Sequence, residues 1–265
     1  MIRSGLLSVT FRKHSPREII SLVSEAGLQA LEWGGDVHVP HGDLRTAGEI
    51  GRMTREAGIE ISSYGSYYRV GVHADNLAFG RVLETAVSLK APSIRVWAGD
   101  LGSAEADERW WYQVITDAQH ISGMAMKEGI AIDFEYHGGT LTDSQDSANR
   151  LLLGIDRPNV RCNWQTPINE TMEQRSDGLS AILPSLANIH VFHWLPDGRR
   201  CSLDEGRQQW LQYIRIIQKA GKTHYALLEF VKDDSTEQFR KDAQILNEIL
   251  RACSDESTSN LLDAD

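Results

Sequence analysis

The stretch "SGLLSVTFRKHSPREIISLVSEAGLQALEWG", residues 4–34, holds the repeating unit of the whole chain. Residues 4–11 are a short apolar run of strand type. Ser15, Pro16 and Glu18 then supply a helix start: a capping side chain, a proline in the first turn and an acidic partner three residues on. Ile19, Ile20, Leu22 and Val23 follow at three-and-four spacing, and Gly27 closes the helix. A second apolar run, "LQALEWG" at 28–34, comes directly after. The stretch reads strand, helix, strand.

The same plan continues to the C-terminus. Further strand-type runs are "IEISSYGSYY", "SIRVWAG", "IAIDFEYH", "VRCNWQ", "NIHVFHW" and "YALLEFV", which makes eight, alternating with eight helical stretches. Several helical stretches open on Asp and close on Gly, as in "DLRTAGEIGRMTREAG" at 43–58; "DNLAFGRVLETAVSLK" at 75–90 also opens on Asp. Eight strand–helix units with no inserted domain predict a single closed (β/α)8 TIM barrel of the α/β class over residues 1–253. No GxGxxG follows the first strand, which argues against a dinucleotide-binding open sheet. Residues 254–265 are acidic and polar and are expected to form a short flexible tail.

Composition narrows the partners. The net charge of −10 opposes binding to a phosphate backbone, so a small-molecule ligand is expected rather than nucleic acid. No apolar run approaches the ~20 residues that span a bilayer, and no signal-like segment opens the chain. Cys162, Cys201 and Cys253 are scattered, without metal-finger spacing, and are expected to be reduced thiols in a cytoplasmic protein with no membrane partner. A homo-oligomer is compatible with these data, but no segment announces an interface.

In a barrel of this kind the active site lies at the C-terminal ends of the strands. Those ends carry Glu32 and Trp33, then Arg95 and Trp97, Asp133, Glu135 and His137, Asn163 and Gln165, His190 and His193, and Glu229 followed by Lys232. Alternation places Asp133, Glu135 and His137 on one face, and burying such groups without compensation costs several kcal/mol. Glu135, His190 and Glu229 come from the fifth, seventh and eighth strands and converge on one mouth. Two carboxylates and an imidazole form an O/N donor set suited to Mn²⁺, Mg²⁺, Co²⁺ or a similar divalent metal ion.

With these residues in place, the chain resembles the xylose isomerase-like TIM-barrel superfamily, and in particular ketose 3-epimerases. The resemblance runs over essentially the whole chain, through residues 5–35, "AIDFEYHGG", "NIHVFHW" and "ALLEFVKDD". It implies a divalent metal, Mn²⁺ first among Mg²⁺, Co²⁺ and Zn²⁺, held by Glu135, Gln165, His190 and Glu229. The pattern expects Asp where Gln165 stands, so the carboxylates contribute −2 rather than −3. It implies an isomerase or epimerase of a sugar or sugar derivative, working by proton transfer between Glu135 and Glu229 through a metal-stabilised enediolate.

Under the same resemblance Glu32, Trp33, His41, Arg95, Trp97, His137, His193 and Lys232 bind the carbohydrate. Arg95 organises the carboxylates, His137 and His193 orient hydroxyls or move protons, and Trp33, Trp97, Trp164 and Trp194 offer flat faces to a sugar ring or pack at the barrel rim. His38 and His41 belong to a loop that covers the site or is simply solvated. Two alternatives remain open: a metal-assisted lyase or dehydratase on a keto-sugar, and a barrel that binds sugar without catalysis.

Overall fold

The computed structural model describes residues 1–72 and 77–262, with side chains through residue 255. Eight parallel strands close into a barrel: β1 (Ile2–Leu7), β2 (Ala30–Gly34), β3 (Glu60–Arg69), β4 (Ser93–Trp97), β5 (Ala131–Glu135), β6 (Val160–Trp164), β7 (Leu186–Val191) and β10 (His224–Leu228). Each strand pairs with its sequence neighbour, and β1 pairs with β10 to close the ring. A two-residue hairpin, β8 (His193–Trp194) and β9 (Arg200–Cys201), stands between β7 and the next helix. The run "NIHVFHW" is therefore two strands that part at Phe192 rather than one.

Helices α1 (Pro16–Glu25), α2 (Leu44–Glu56), α3 (Phe79–Leu89), α4 (Glu108–Lys127), α5 (Gln145–Ile155), α6 (Met172–Ile182), α7 (Arg207–Gln218) and α8 (Thr236–Leu262) form the outer ring. The expected capping box of α1 is present: Glu18 N–H donates to Ser15 Oγ, and Glu18 Oε2 accepts from Ser15 N–H at 2.6 Å. Such a cap contributes about 1 kcal/mol. The Asp75 start expected for α3 lies outside the described residues. At the other end α8 carries on past Cys253 through Leu262, into the segment expected to be a tail; residues 263–265 lie outside the described residues.

Strand alternation splits the apolar residues into two sets. Leu6, Leu31, Trp33, Ile94, Phe134, Trp164 and Val191 face outward and form, with the helices, the main core. Inside the barrel a small cluster of Leu7, Val9, Ala30 and Leu227 packs separately. Much of the remaining interior is polar, and its charged groups below the mouth are paired. At the N-terminal end, Arg3 and Tyr225 both donate to Glu60. Further along, Arg161 makes a bidentate pair with the buried Asp133 at 2.8 and 3.0 Å. Asp133 thus faces inward as alternation requires, and an arginine compensates it.

No helix among the described residues is long and apolar enough to cross a membrane.

Candidate active site

At the C-terminal ends of the strands, Glu135, His190 and Glu229 are buried and offer donor atoms within 4.8 Å of one another. His190 Nδ1 lies 3.4 Å from Glu135 Oε1 and 3.4 Å from Glu229 Oε2. Neither approach is an aligned hydrogen bond, and both ring nitrogens are buried without a hydrogen-bond partner. Orphaned buried nitrogens are costly, and a cation among the three donors would satisfy one of them. Burial acts to lower the His190 pKa, but Glu229 and Glu135 outweigh it and raise it to about 10.

Beside this triad stands a buried charge network. Arg95, on the inward face of β4, donates from Nε to Glu32 Oε1 at 2.7 Å and from Nη1 to Glu135 Oε2. Ser63 Oγ gives Glu32 a further bond at 2.5 Å. Trp97 donates its indole N–H to the same Glu135 oxygen that Arg95 holds. Burial would raise the Glu135 pKa, yet Arg95 and His190 overcome it and keep the carboxylate well below its ordinary range. Gly65 makes room for this network: a Cβ there would stand 2.6 Å from Glu32 Oε1 and 2.7 Å from Arg95 Nη2.

A cavity of about 300 Å³ opens above the triad, with Arg95, Trp97, Glu135, His137, Gln165 and Glu229 in its wall. His137 stacks against Trp97 with ring centroids 4.8 Å apart, and its Nδ1 lies 2.7 Å from the Gly138 carbonyl oxygen. That oxygen can only accept, so Nδ1 carries the hydrogen and, in the neutral ring, Nε2 carries the lone pair. Gln165 reaches the cavity and donates from Nε2 to the Tyr136 carbonyl. This tie turns its amide nitrogen away and leaves Oε1 as the atom available to a ligand.

Not every expected residue reaches the cavity, and alternation explains most of the exceptions. Glu32 faces inward but lies beneath Arg95 and does not form the cavity wall. Trp33 follows it and so points outward, fully buried, with its N–H on Thr54 Oγ1 at 3.1 Å. Trp164, between the inward-facing Asn163 and Gln165, packs outward against Trp210 and Tyr213. His193 is three residues from His190, an odd offset that puts the two on opposite faces; it lies against Gly206, where a Cβ would meet its ring at 2.6 Å.

The loop residues also differ from expectation. His41 is held by the Tyr64 hydroxyl at 2.7 Å, and His38 lies between Ser8 Oγ and the His14 carbonyl, both 3.1 Å away. Both histidines anchor the β2–α2 loop rather than face the cavity. Lys232 is exposed on the turn after β10 and is not part of the wall.

The cavity has walls that the residue patterns did not single out. Phe192, at an even offset from His190, lines it, as do Phe230 and Arg12. Alternation from His190 predicts Phe192, whereas Arg12 lies past the turn after β1, where no strand period applies. Tyr67 also lines it, and there the signal is hidden: β3 carries a bulge in which Gly65 pairs with Arg95 and Tyr68 with Val96, leaving Ser66 and Tyr67 as extra residues.

Known proteins of the same shape agree with this architecture. The chain is 22% identical over 273 residues to a 3-dehydroshikimate dehydratase from Bacillus anthracis, covering 92% of this chain and 96% of that one. Among solved structures, a probable 3-DHS dehydratase from Bacillus anthracis superposes with a TM-score of 0.78 at 20% identity, over 93% of this chain and 99% of that one. A D-psicose 3-epimerase from Clostridium cellulolyticum H10, determined with D-tagatose, gives 0.69 at 16% identity over 97% and 98%. A magnesium complex from Mycobacterium smegmatis gives 0.74 at 16% over 95% and 97%. A family sequence model matches residues 20–253, and the chain belongs to that family, the xylose isomerase-like TIM barrels.

Proposed function

We propose that this protein is a divalent-metal-dependent lyase that removes water from a small, hydroxylated keto compound, beginning with loss of a proton from the carbon next to the carbonyl. The observation that carries this reading is the contrast between Glu135 and His137. Glu135 is tied by Arg95 and Trp97 through one oxygen and held ionised, which makes it a weak base and a good ligand. His137, two residues on, shares its cavity, with the lone pair of its neutral ring on Nε2.

Glu135, His190 and Glu229 would hold the cation, with Gln165 Oε1 as a fourth oxygen donor. A divalent ion bound there supplies a Lewis acid for the substrate carbonyl and a counter-charge for the electrons left by proton removal. His137 Nε2 accepts the proton as the C–H bond breaks. The electron pair then reforms as a carbon–carbon double bond while the C–O bond to the neighbouring hydroxyl breaks. The same imidazolium returns its proton to the departing hydroxyl, so water leaves and the ring is ready again. One base on one face suffices for elimination, whereas inversion needs two. The relative named 3-dehydroshikimate dehydratase supports this reading and makes that compound the first substrate to try.

A second reading, a sugar epimerase with Glu135 and Glu229 as paired bases, is favoured by both carboxylates facing one cavity. The two separate cleanly. The protein is incubated with Mn²⁺ or Mg²⁺ in D₂O, with 3-dehydroshikimate in one arm and D-psicose or D-fructose in the other. Loss of one water by mass spectrometry supports the lyase, with His137→Asn losing turnover while keeping cation affinity. Deuterium incorporation with inversion and no loss of water supports the epimerase and refutes the lyase.

A further inference from the structure

We propose that Arg12 and Tyr67 form an oxyanion-binding subsite, so that the substrate of the site described above carries a carboxylate or phosphate rather than being a neutral ketose. The inference rests on the lyase or epimerase reading only in placing the substrate in this cavity. Its own support is geometric.

Arg12 follows the short 3-10 turn after β1 and forms part of the cavity wall. The other arginine there, Arg95, is committed to Glu32 and Glu135. Arg12 is only partly committed. Its Nε and Nη2 both meet Asp36 Oδ2 at 2.9 Å, while Nη1 has only a long 3.4 Å approach to the Val9 carbonyl. A guanidinium has five N–H donors in a fixed fork, so Arg12 keeps donors for a planar or tetrahedral oxyanion.

Tyr67 is placed beside it at a conformational cost. Its φ is +56°, in the left-handed region that a bulky residue rarely adopts, and it belongs to the bulge of β3. Such strain persists where the surrounding structure over-determines it, often at ligand clamps. Here the ring lies over the Arg95 guanidinium, 4.7 Å from Cζ to centroid, and edge-on to Trp97 at 5.6 Å. The hydroxyl accepts a long bond from Arg12 Nη2 at 3.5 Å. Among the described residues its own proton has no acceptor. Two donors, the phenol O–H and Arg12 Nη1–H, therefore adjoin one wall of a cavity whose inner end is lined by carboxylates. Among the described residues of that wall, Arg12 is the arginine left for a ligand's negative group, since Arg95 is paired with Glu32 and Glu135.

The subsite extends outward. Arg12 and Phe230 also line a neighbouring cavity of about 530 Å³ that includes Lys13, His14, Arg200, Asp233 and Asp234. Arg200 is paired with Asp234 at 2.6 Å. With Lys13 and Arg12 the outer space keeps a small excess of positive charge, and Arg12 is the cation that lines both cavities.

The test uses three probes with one hydroxyketone end: dihydroxyacetone, hydroxypyruvate and dihydroxyacetone phosphate. Affinities are measured by calorimetry on the Mg²⁺-loaded protein. The expected result is that at least one charged probe binds tenfold or more tightly than dihydroxyacetone; which one does so identifies a carboxylate or a phosphate. Arg12→Gln abolishes that advantage and Tyr67→Phe reduces it several-fold. Asp36→Asn, which frees Arg12, keeps or increases it. Equal affinity for all three probes, binding of none, or loss of preference in Asp36→Asn as well as Arg12→Gln overturns the subsite; the last outcome assigns Arg12 to holding the loop. Proton exchange on 3-dehydroshikimate is measured separately, so a protein that exchanges protons without charge preference refutes the subsite and leaves the reaction standing.

Discussion

Arg95→Met is the sharpest perturbation of this molecule. Arg95 is 1% exposed, and its guanidinium is the shared counter-charge of two buried carboxylates, Glu32 and Glu135. Met keeps much of the aliphatic stem, so the change in packing is small and the charge effect dominates. Removing one partner of a buried ion pair costs ~3–5 kcal/mol because the other charge is left uncompensated. Glu32 retains Ser63 and Glu135 retains Trp97 and His190, which keeps the expected loss inside that range rather than doubling it. For a chain of this size the loss corresponds to a fall in Tm of roughly 10 °C. Thermal and urea unfolding measure it. Adding Glu32→Gln to the same protein removes one of the bare charges and should restore part of the loss, on the order of 1–3 kcal/mol. A variant within about 1 kcal/mol of the parent, or a double variant less stable than Arg95→Met, would refute the account of the network.

Three further outcomes follow from the site. Glu229→Gln should abolish tight divalent-cation binding in calorimetry, while Gln165→Ala weakens it roughly tenfold, as supporting ligands do; equal effects would remove the distinction between the triad and the amide. His190 has its pKa raised to about 10, so the stability contributed by its proton is fully present below 6.5 and lost as pH rises through about 10. A cation held by His190 displaces that proton, so cation affinity should increase with pH across the same window, and a flat profile would exclude His190 as a ligand. Gly65→Ala should destabilise by ~1–3 kcal/mol through its clash with Glu32 and Arg95, and an unchanged Tm would show that the network yields without cost.

The barrel and its triad are legible in the sequence because both depend on the two-residue period of a strand. Glu135, His190 and Glu229 sit one per strand end, and that period carries each inward. The same rule, applied strictly, also moves Trp33, Trp164 and His193 out of the site, since each is an odd number of residues from an inward-facing neighbour. What the pattern hides is irregular. The bulge that brings in Tyr67 has no marker other than a glycine two residues earlier, and the break at Phe192 lies inside a continuous apolar run. Arg12 lies beyond its strand in a turn, where no period applies.

The floor of the barrel sets the traffic through it. The Arg3–Glu60–Tyr225 knot, the Asp133–Arg161 pair and the plug of Leu7, Ala30 and Leu227 fill the interior from the N-terminal end upward. The cavity lined by Arg12, Trp97 and Phe230 lies at the other, C-terminal end, with Glu135 and Glu229 in its wall. In the proposed lyase, cation and substrate would share that opening. An ion that loads before the organic ligand would then lie beneath it, and bound substrate is expected to slow the ion's removal by a chelator.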